Sequence, residues 1–287
     1  MRSLAIFLAL LGVGAVSQSA EASTASPWLG SVDQAVSEAR RTEKLILVDL
    51  YAEWCGWCKR LEQDVFSTAT FHEFAEDYVL LRVDTEDGGE GTRLQEKYEA
   101  YSLPTTLVID KDGVMIASIP GYSPAPRYIA SIETKVAAFD ELVEGFERYG
   151  QSSDPRILGI LADEFHQRSD GTRAATLYRR LLTTGGLPPA KLNLIRYQLA
   201  DALRLARQYD EAWEEIEGAR ASLDSAKDNP LLERFELLAA QVLIDRGDCS
   251  RAQSELETFL DQHPSSDLRR VARQTLTTLR EEGYRCS

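Results

Sequence analysis

The chain has 287 residues, enough for two domains of ordinary size, and its 44% apolar and 27% charged composition is that of a globular protein. A formal charge of −14 argues against nucleic acid and anionic lipid as partners. The charge is uneven: residues 23–150 hold 12 Lys and Arg against 23 Asp and Glu, whereas residues 151–287 hold 19 against 22.

Residues 1–22 have the layout of an export signal. Arg2 supplies a positive start, residues 4–16 form an apolar core too short to span a bilayer comfortably, and Ala20-Glu21-Ala22 has the small-x-small form of a cleavage site. The expected mature chain begins near Ser23, outside the cytosol and without stable membrane insertion. Residues 28–44 read as a helix with Val32, Ala35, Val36 and Ala39 on one side, acids early and Arg40, Arg41 and Lys44 late. Residues 45–51, Leu-Ile-Leu-Val-Asp-Leu-Tyr, read as a buried strand. A helix starting near Cys55 carries Leu61, Val65 and Phe66, and a second helical stretch covers residues 71–77. Residues 78–84 form the next strand, 84–92 an acidic glycine-rich loop, and 93–101 a short helix. Residues 105–110 and 114–119 are strands joined by the turn signal Lys111-Asp112-Gly113. Helix resumes from Pro126 through Phe146. Alternation of helix and strand predicts parallel strands with crossover helices, and the hairpin adds an antiparallel edge.

After Asp154-Pro155 the pattern is helical throughout. Three segments align on Ala174, Ala212 and Ala252, at intervals of 38 and 40 residues, each following a helical stretch and a short polar turn. A repeat of this length implies helix pairs that bury their apolar faces by stacking. The expected divisions are a signal at 1–22, an α/β domain at 23–149 and a helical repeat domain at 150–287.

Four cysteines are present, Cys55, Cys58, Cys249 and Cys286. Cys55 and Cys58 have the spacing of a small ring that opens and closes by exchange. Their place at the end of a strand and the start of a helix favours thiolate at Cys55, which is expected to be the exposed sulfur of the pair. Three pairings of four cysteines are possible; a local Cys55–Cys58 pair leaves Cys249 and Cys286 to close a structural disulfide that ties down the C-terminal tail. The long separation of Cys249 from Cys286 and the scattered His72, His166 and His263 do not match a metal site. Asp49 interrupts an apolar strand, and a desolvated carboxylate there would accept a proton near neutral pH; the alternative is a strand-edge or hydrogen-bonded Asp.

Three segments resemble the thioredoxin family in order: Leu-Val-Asp-Leu-Tyr-Ala-Glu-Trp-Cys-Gly-Trp-Cys-Lys-Arg-Leu around the cysteines, Leu103-Pro104-Thr105, and the hairpin ending in Gly121-Tyr122. The first is most similar to the exported reductase-type domains of bacteria. The resemblance implies a thioredoxin-like α/β fold over residues 28–139, Cys55 as nucleophile, Cys58 as resolving thiol and Asp49 as the buried carboxylate behind them. It also implies a cis-proline at Pro104 whose neighbour Leu103 faces Cys55 and pairs with substrate backbone, with Trp54, Gly56, Trp57 and Thr105 completing the substrate-binding surface. Gly56-Trp57 departs from thioredoxin's usual Gly-Pro, and that pair tunes the reduction potential. The second half is similar to tetratricopeptide repeats.

The expected function is therefore an exported protein-disulfide oxidoreductase, reducing client disulfides through its dithiol with no further cofactor. It would reside in the bacterial periplasm, with a redox partner to recycle the cysteines and helical repeats recruiting a client or partner. The alternative is a chaperone or scaffold that binds through the repeats, with redox activity secondary.

Overall fold

The computed structural model describes residues 28–223 and 229–281, so the expected signal at 1–22 and Cys286 lie outside the described residues. The first half is a four-stranded sheet between two layers of helices. β1 (Leu45–Tyr51), β2 (Tyr78–Asp84), β3 (Thr105–Ile109) and β4 (Met115–Pro120) lie in the order β2-β1-β3-β4. Only β1 and β2 run parallel; β3 is antiparallel to β1 as well as to β4. The expected run of parallel strands thus stops after one pair. α4 (Glu90–Lys97), although it lies between β2 and β3, delivers β3 in the reverse direction.

Side-chain alternation along β1 divides the core. Ile46, Val48 and Leu50 pack with Ala35 and Ala39 of α1 (Val32–Thr42) and with Leu94 of α4. Leu47 packs on the other face with Leu61, Val65 and Phe71, from α2 (Gly56–Leu61), the π-helical turn Glu62–Phe66 that continues it and α3 (Ala69–Ala75). Tyr128 and Ile132 of α5 (Ala125–Tyr149) complete that layer.

Both sheet edges are covered. Residues 28–31, expected to be helical, instead place Leu29 beside β2: the Leu29 amide donates to the Leu80 carbonyl at 2.8 Å and the Arg82 amide to the Leu29 carbonyl at 2.9 Å. Strand geometry wins there because β2 would otherwise present unpaired backbone groups. At the other edge, the Met115 amide of β4 donates to the Arg168 carbonyl at 2.7 Å, and Arg168 Nη1 donates to the Ile116 carbonyl at 3.0 Å.

Arg168 belongs to the helical half. α6 (Pro155–Gln167) and α7 (Gly171–Thr183) form the first pair, α8 (Pro189–Leu205) and α9 (Tyr209–Leu223) the second, α10 (Pro230–Arg246) and α11 (Cys249–Gln262) the third, and α12 (Arg269–Glu281) follows. Asp154, Asp170, Asn229 and Asp248 cap helix starts by accepting backbone amides, and prolines open α6, α8 and α10. Ala174, Ala212 and Ala252 are all fully buried at the seams between helices. An ion-pair chain links the first helices of successive pairs: His166 Nε2 lies 2.8 Å from Asp201, and Arg204 bonds Asp201 at 2.7 Å and Asp245 at 2.6 Å. Burial would raise the Asp201 carboxyl, but His166 and Arg204 hold it at about 2. Among the described residues no helix is long and apolar enough to cross a membrane.

Candidate active site

Cys55 ends the turn that follows β1 and caps α2. Its Sγ accepts the Cys58 amide at 3.1 Å, and the two sulfurs form a disulfide with Cα atoms 5.3 Å apart. Short-range closure follows from the helix: residues i and i+3 share a face, so the cysteine before the first turn meets the one inside it. Cys55 is not the exposed sulfur-bearing residue that was expected. It is 3% exposed against 2% for Cys58, because Ala52, Tyr51 and Leu103 pack around the ring. Exposure belongs instead to the neighbouring indoles, Trp54 at 67% and Trp57 at 61%, and to Gly56.

Asp49 lies on the same face of β1 as Leu47, the face covered by the helix that carries Cys58. It is 1% exposed. Burial pushes its carboxyl up to about 7; the guanidinium of Arg82 pulls it back, and the charge of Glu62 adds to the rise. Arg82 Nε approaches Asp49 Oδ2 at 3.2 Å but without a hydrogen-bonding angle, and both Arg82 Nε and the other carboxylate oxygen, Asp49 Oδ1, lack a hydrogen-bond partner. The well-formed contacts of Arg82 go to Glu62, with Nη2 donating to Oε2 and Nη1 facing Oε1, both at 3.0 Å, while its guanidinium stacks 4.4 Å from the Tyr51 ring centre. The Arg82 bond holds Glu62 below the usual carboxylate range. A cavity of about 280 Å³ lies here, lined by Cys58, Lys59, Glu62, Tyr51 and Arg82 among others.

The Leu103–Pro104 peptide is cis. Leu103 packs against the cysteine pair, and Pro104 is buried with its carbonyl accepting the Gly121 amide at 2.8 Å. Thr105 is turned away from the rim: it is 1% exposed and its hydroxyl donates to the Ser102 carbonyl at 2.6 Å. Cys249 opens α11, remote in sequence from this site, and its expected partner Cys286 is outside the described residues. Among those residues no group of three His, Cys, Asp or Glu could hold a metal. Arg82 and Glu62 were missed at the level of sequence. The signal was available in strand register, which sets Arg82 opposite Asp49, and in the helical step of four from Cys58 to Glu62.

The sheet order, the disulfide at the head of α2 and the proline segment beside it define a thioredoxin-like domain, and residues 27–111 match the family model described as thioredoxin-like. The chain is 31% identical over 106 residues to the thiol:disulfide interchange protein DsbD of Ralstonia nicotianae and 38% identical over 80 residues to that of Pseudomonas fluorescens. These matches cover 36% and 28% of this chain but only 17% and 14% of the relatives. Among solved structures, the oxidised C-terminal domain of Neisseria meningitidis DsbD is similar over 38% of this chain and 98% of that one, at 19% identity and a TM-score of 0.33.

Proposed function

We propose that this protein is an exported thiol–disulfide oxidoreductase of the bacterial periplasm that reduces disulfides of client proteins through Cys55 and Cys58. The observation that carries the reading is a cysteine pair closed at a helix start and backed by a buried carboxyl whose pKa is near neutral. The names of the bacterial relatives support the reaction class.

The cycle starts from the dithiol. Helix amides favour the Cys55 thiolate, which attacks one sulfur of a client disulfide. The Cys55–client bond forms, the client bond breaks, and the first client thiolate leaves and takes up a proton. Cys58 passes its proton to Asp49, the carboxyl buried on the face of β1 that α2 covers. The Cys58 thiolate then attacks Cys55 Sγ and expels the second client thiolate, which is protonated in turn. Two electrons have moved to the client, and the Cys55–Cys58 disulfide remains for a thiol-donating partner to reduce. Trp54, Gly56, Trp57 and the Leu103–Pro104 backbone form the surface that receives the client, and Thr105 holds that backbone in place through Ser102.

The helical region from residue 150 is assigned to recruitment of a partner or client. Its exposed Ile160, Leu194 and Val271 offer apolar contacts. It meets the thioredoxin-like domain at the β3–β4 hairpin and along the last turns of α5, where Leu142, Val143 and Phe146 pack on its core, whereas Cys55 follows the other end of the sheet from the hairpin, about 20 Å away at roughly 3.3 Å per strand residue. Recruitment and exchange are therefore separate surfaces.

Equilibration of the purified full chain with glutathione tests the direction of electron flow. A potential of about −270 mV is expected; one of about −120 mV would make the protein an oxidant. Cys58→Ser is expected to accumulate a mixed disulfide and Cys55→Ser to lose turnover. Full activity in Cys55→Ser would refute the proposal.

A further inference from the structure

Three of the seven large apolar side chains exposed among the described residues, Trp54, Trp57 and Tyr101, belong to the segments that enclose the disulfide. The two indoles are exposed yet held. Trp54 Nε1 donates to Glu86 Oε1 at 2.7 Å. Trp57 packs on Tyr122, with ring centres 5.5 Å apart, and the Tyr122 hydroxyl donates to Asp64 Oδ2 at 2.9 Å, an oxygen that also accepts Arg60 Nε at 2.6 Å. Rings fixed from behind and open in front give contact area without the entropy loss of ordering them on binding.

The electrostatics around Trp54 are one-sided. Residues 84–92 contain Asp84, Glu86, Asp87 and Glu90 and no basic residue. Thr85 fastens this loop to the end of β1: its amide and hydroxyl donate to the Tyr51 carbonyl at 2.8 and 3.2 Å, three residues before Trp54. Asp87 is spent on the amides of Gly89, Gly91 and Thr92, and Glu90 accepts the Val32 amide. Glu86 and the exposed Glu53 make no ion pair among the described residues; two cations, Lys59 and Arg82, line the same cavity as Glu53, and Arg82 is already paired with Glu62 and Asp49. A cation laid on the open face of Trp54 would meet the ring quadrupole and, at the indole N–H edge, the Glu86 carboxylate.

We propose that Trp54 and Glu86 form a cation-recognition site beside the disulfide, so that this protein prefers client segments carrying Lys or Arg next to the reacting cysteine. The inference rests on the thiol–disulfide reading above and specifies its substrate class. No bond changes at this site; it only orients the client while Cys55 reacts.

The test uses the reduced full chain and three peptide disulfides that differ only in the residue flanking the cysteine: Lys, Gln or Glu. The second-order rate of reduction is measured for each, with hydroxyethyl disulfide as a small uncharged control. Rates are expected in the order Lys, Gln, Glu, with about ten-fold between the extremes at 10 mM salt and less than about two-fold at 1 M, where the screening length is about 3 Å. Glu86→Gln keeps an acceptor for the Trp54 N–H and removes the charge, so the Lys-to-Glu ratio should shrink several-fold. Trp54→Leu should shrink it as well. Equal rates for the three peptides, or a ratio unchanged in Glu86→Gln, overturn the proposal while leaving thiol exchange standing. Failure to reduce any peptide and the small control overturns both readings.

Discussion

Burial of Asp49 ties the stability of the redox site to pH. In an unfolded chain this carboxyl ionises near pH 3.9, whereas the native sheet holds it at about 7. Between those values the unfolded state has released a proton that native Asp49 keeps. The native state is therefore disfavoured progressively as pH rises from about 4 to 7, and the loss is complete above that window. Three pKa units correspond to about 4 kcal/mol. Asp49→Asn removes the ionisation, so its melting temperature in the oxidised form should exceed that of the unsubstituted protein by several degrees at pH 8, a difference that closes toward pH 4. A difference independent of pH would show that Asp49 does not titrate in this window. In the proposed cycle the same variant would lack the proton acceptor, and resolution of a Cys55 mixed disulfide by Cys58 should slow by about 10²-fold at pH 7. Asp49 was visible in the sequence because a carboxylate stood alone among branched aliphatics. Arg82 and Glu62, which set its charge environment, were not, since each is unremarkable in its own segment and they meet Asp49 only through strand register and helix step.

At the scale of elements, what local pattern determines was legible and what pairing determines was not. β1 and β2 fall on the residues their apolar runs predict, because period and composition are local properties. The direction of β3, and the capture of Leu29 by β2, depend on which edges need covering. Close packing of helices is similarly hidden. Gly171 opens α7 where a Cβ would come within 2.3 Å of the Ala202 carbonyl oxygen and 2.4 Å of the Ala206 nitrogen at the end of α8. No side chain can relieve a clash with backbone, so Gly171→Ala must push the first helix pair from the second. The expected cost is about 1–3 kcal/mol, as for other overpacked sites. Urea unfolding followed by circular dichroism at 222 nm reports it as a lower midpoint for the helical half, and an unchanged midpoint would mean that the seam has room to relax.

For the whole molecule, the contact between the halves decides whether the helical region can influence the cysteines. Arg168 concentrates that contact. Its carbonyl accepts the Met115 amide, its Nη1 donates to the Met115 and Ile116 carbonyls at 3.4 and 3.0 Å, and its guanidinium lies 5.6 Å from the Phe139 ring centre of α5. The side chain thereby fills the open edge of β4, where an uncovered strand would otherwise offer its polar groups to another chain. Arg168→Ala removes the charge-assisted bonds, worth about 1.5–3 kcal/mol each in favourable settings, but can keep the backbone bond to Met115. Hydrogen exchange should therefore accelerate at the amides of β4 and the α6–α7 turn. The rate at which the dithiol reduces a small uncharged disulfide should stay within two-fold of the unsubstituted value, because the hairpin lies at the opposite end of the sheet from Cys55. Measuring both quantities on one preparation separates two architectures. Faster exchange at β4 with unaltered chemistry describes a helical arm that carries the redox domain without tuning it. A change of ten-fold or more in disulfide reduction would instead mean that strain at the hairpin reaches Asp49 along β1 and β3, the two strands that join the ends.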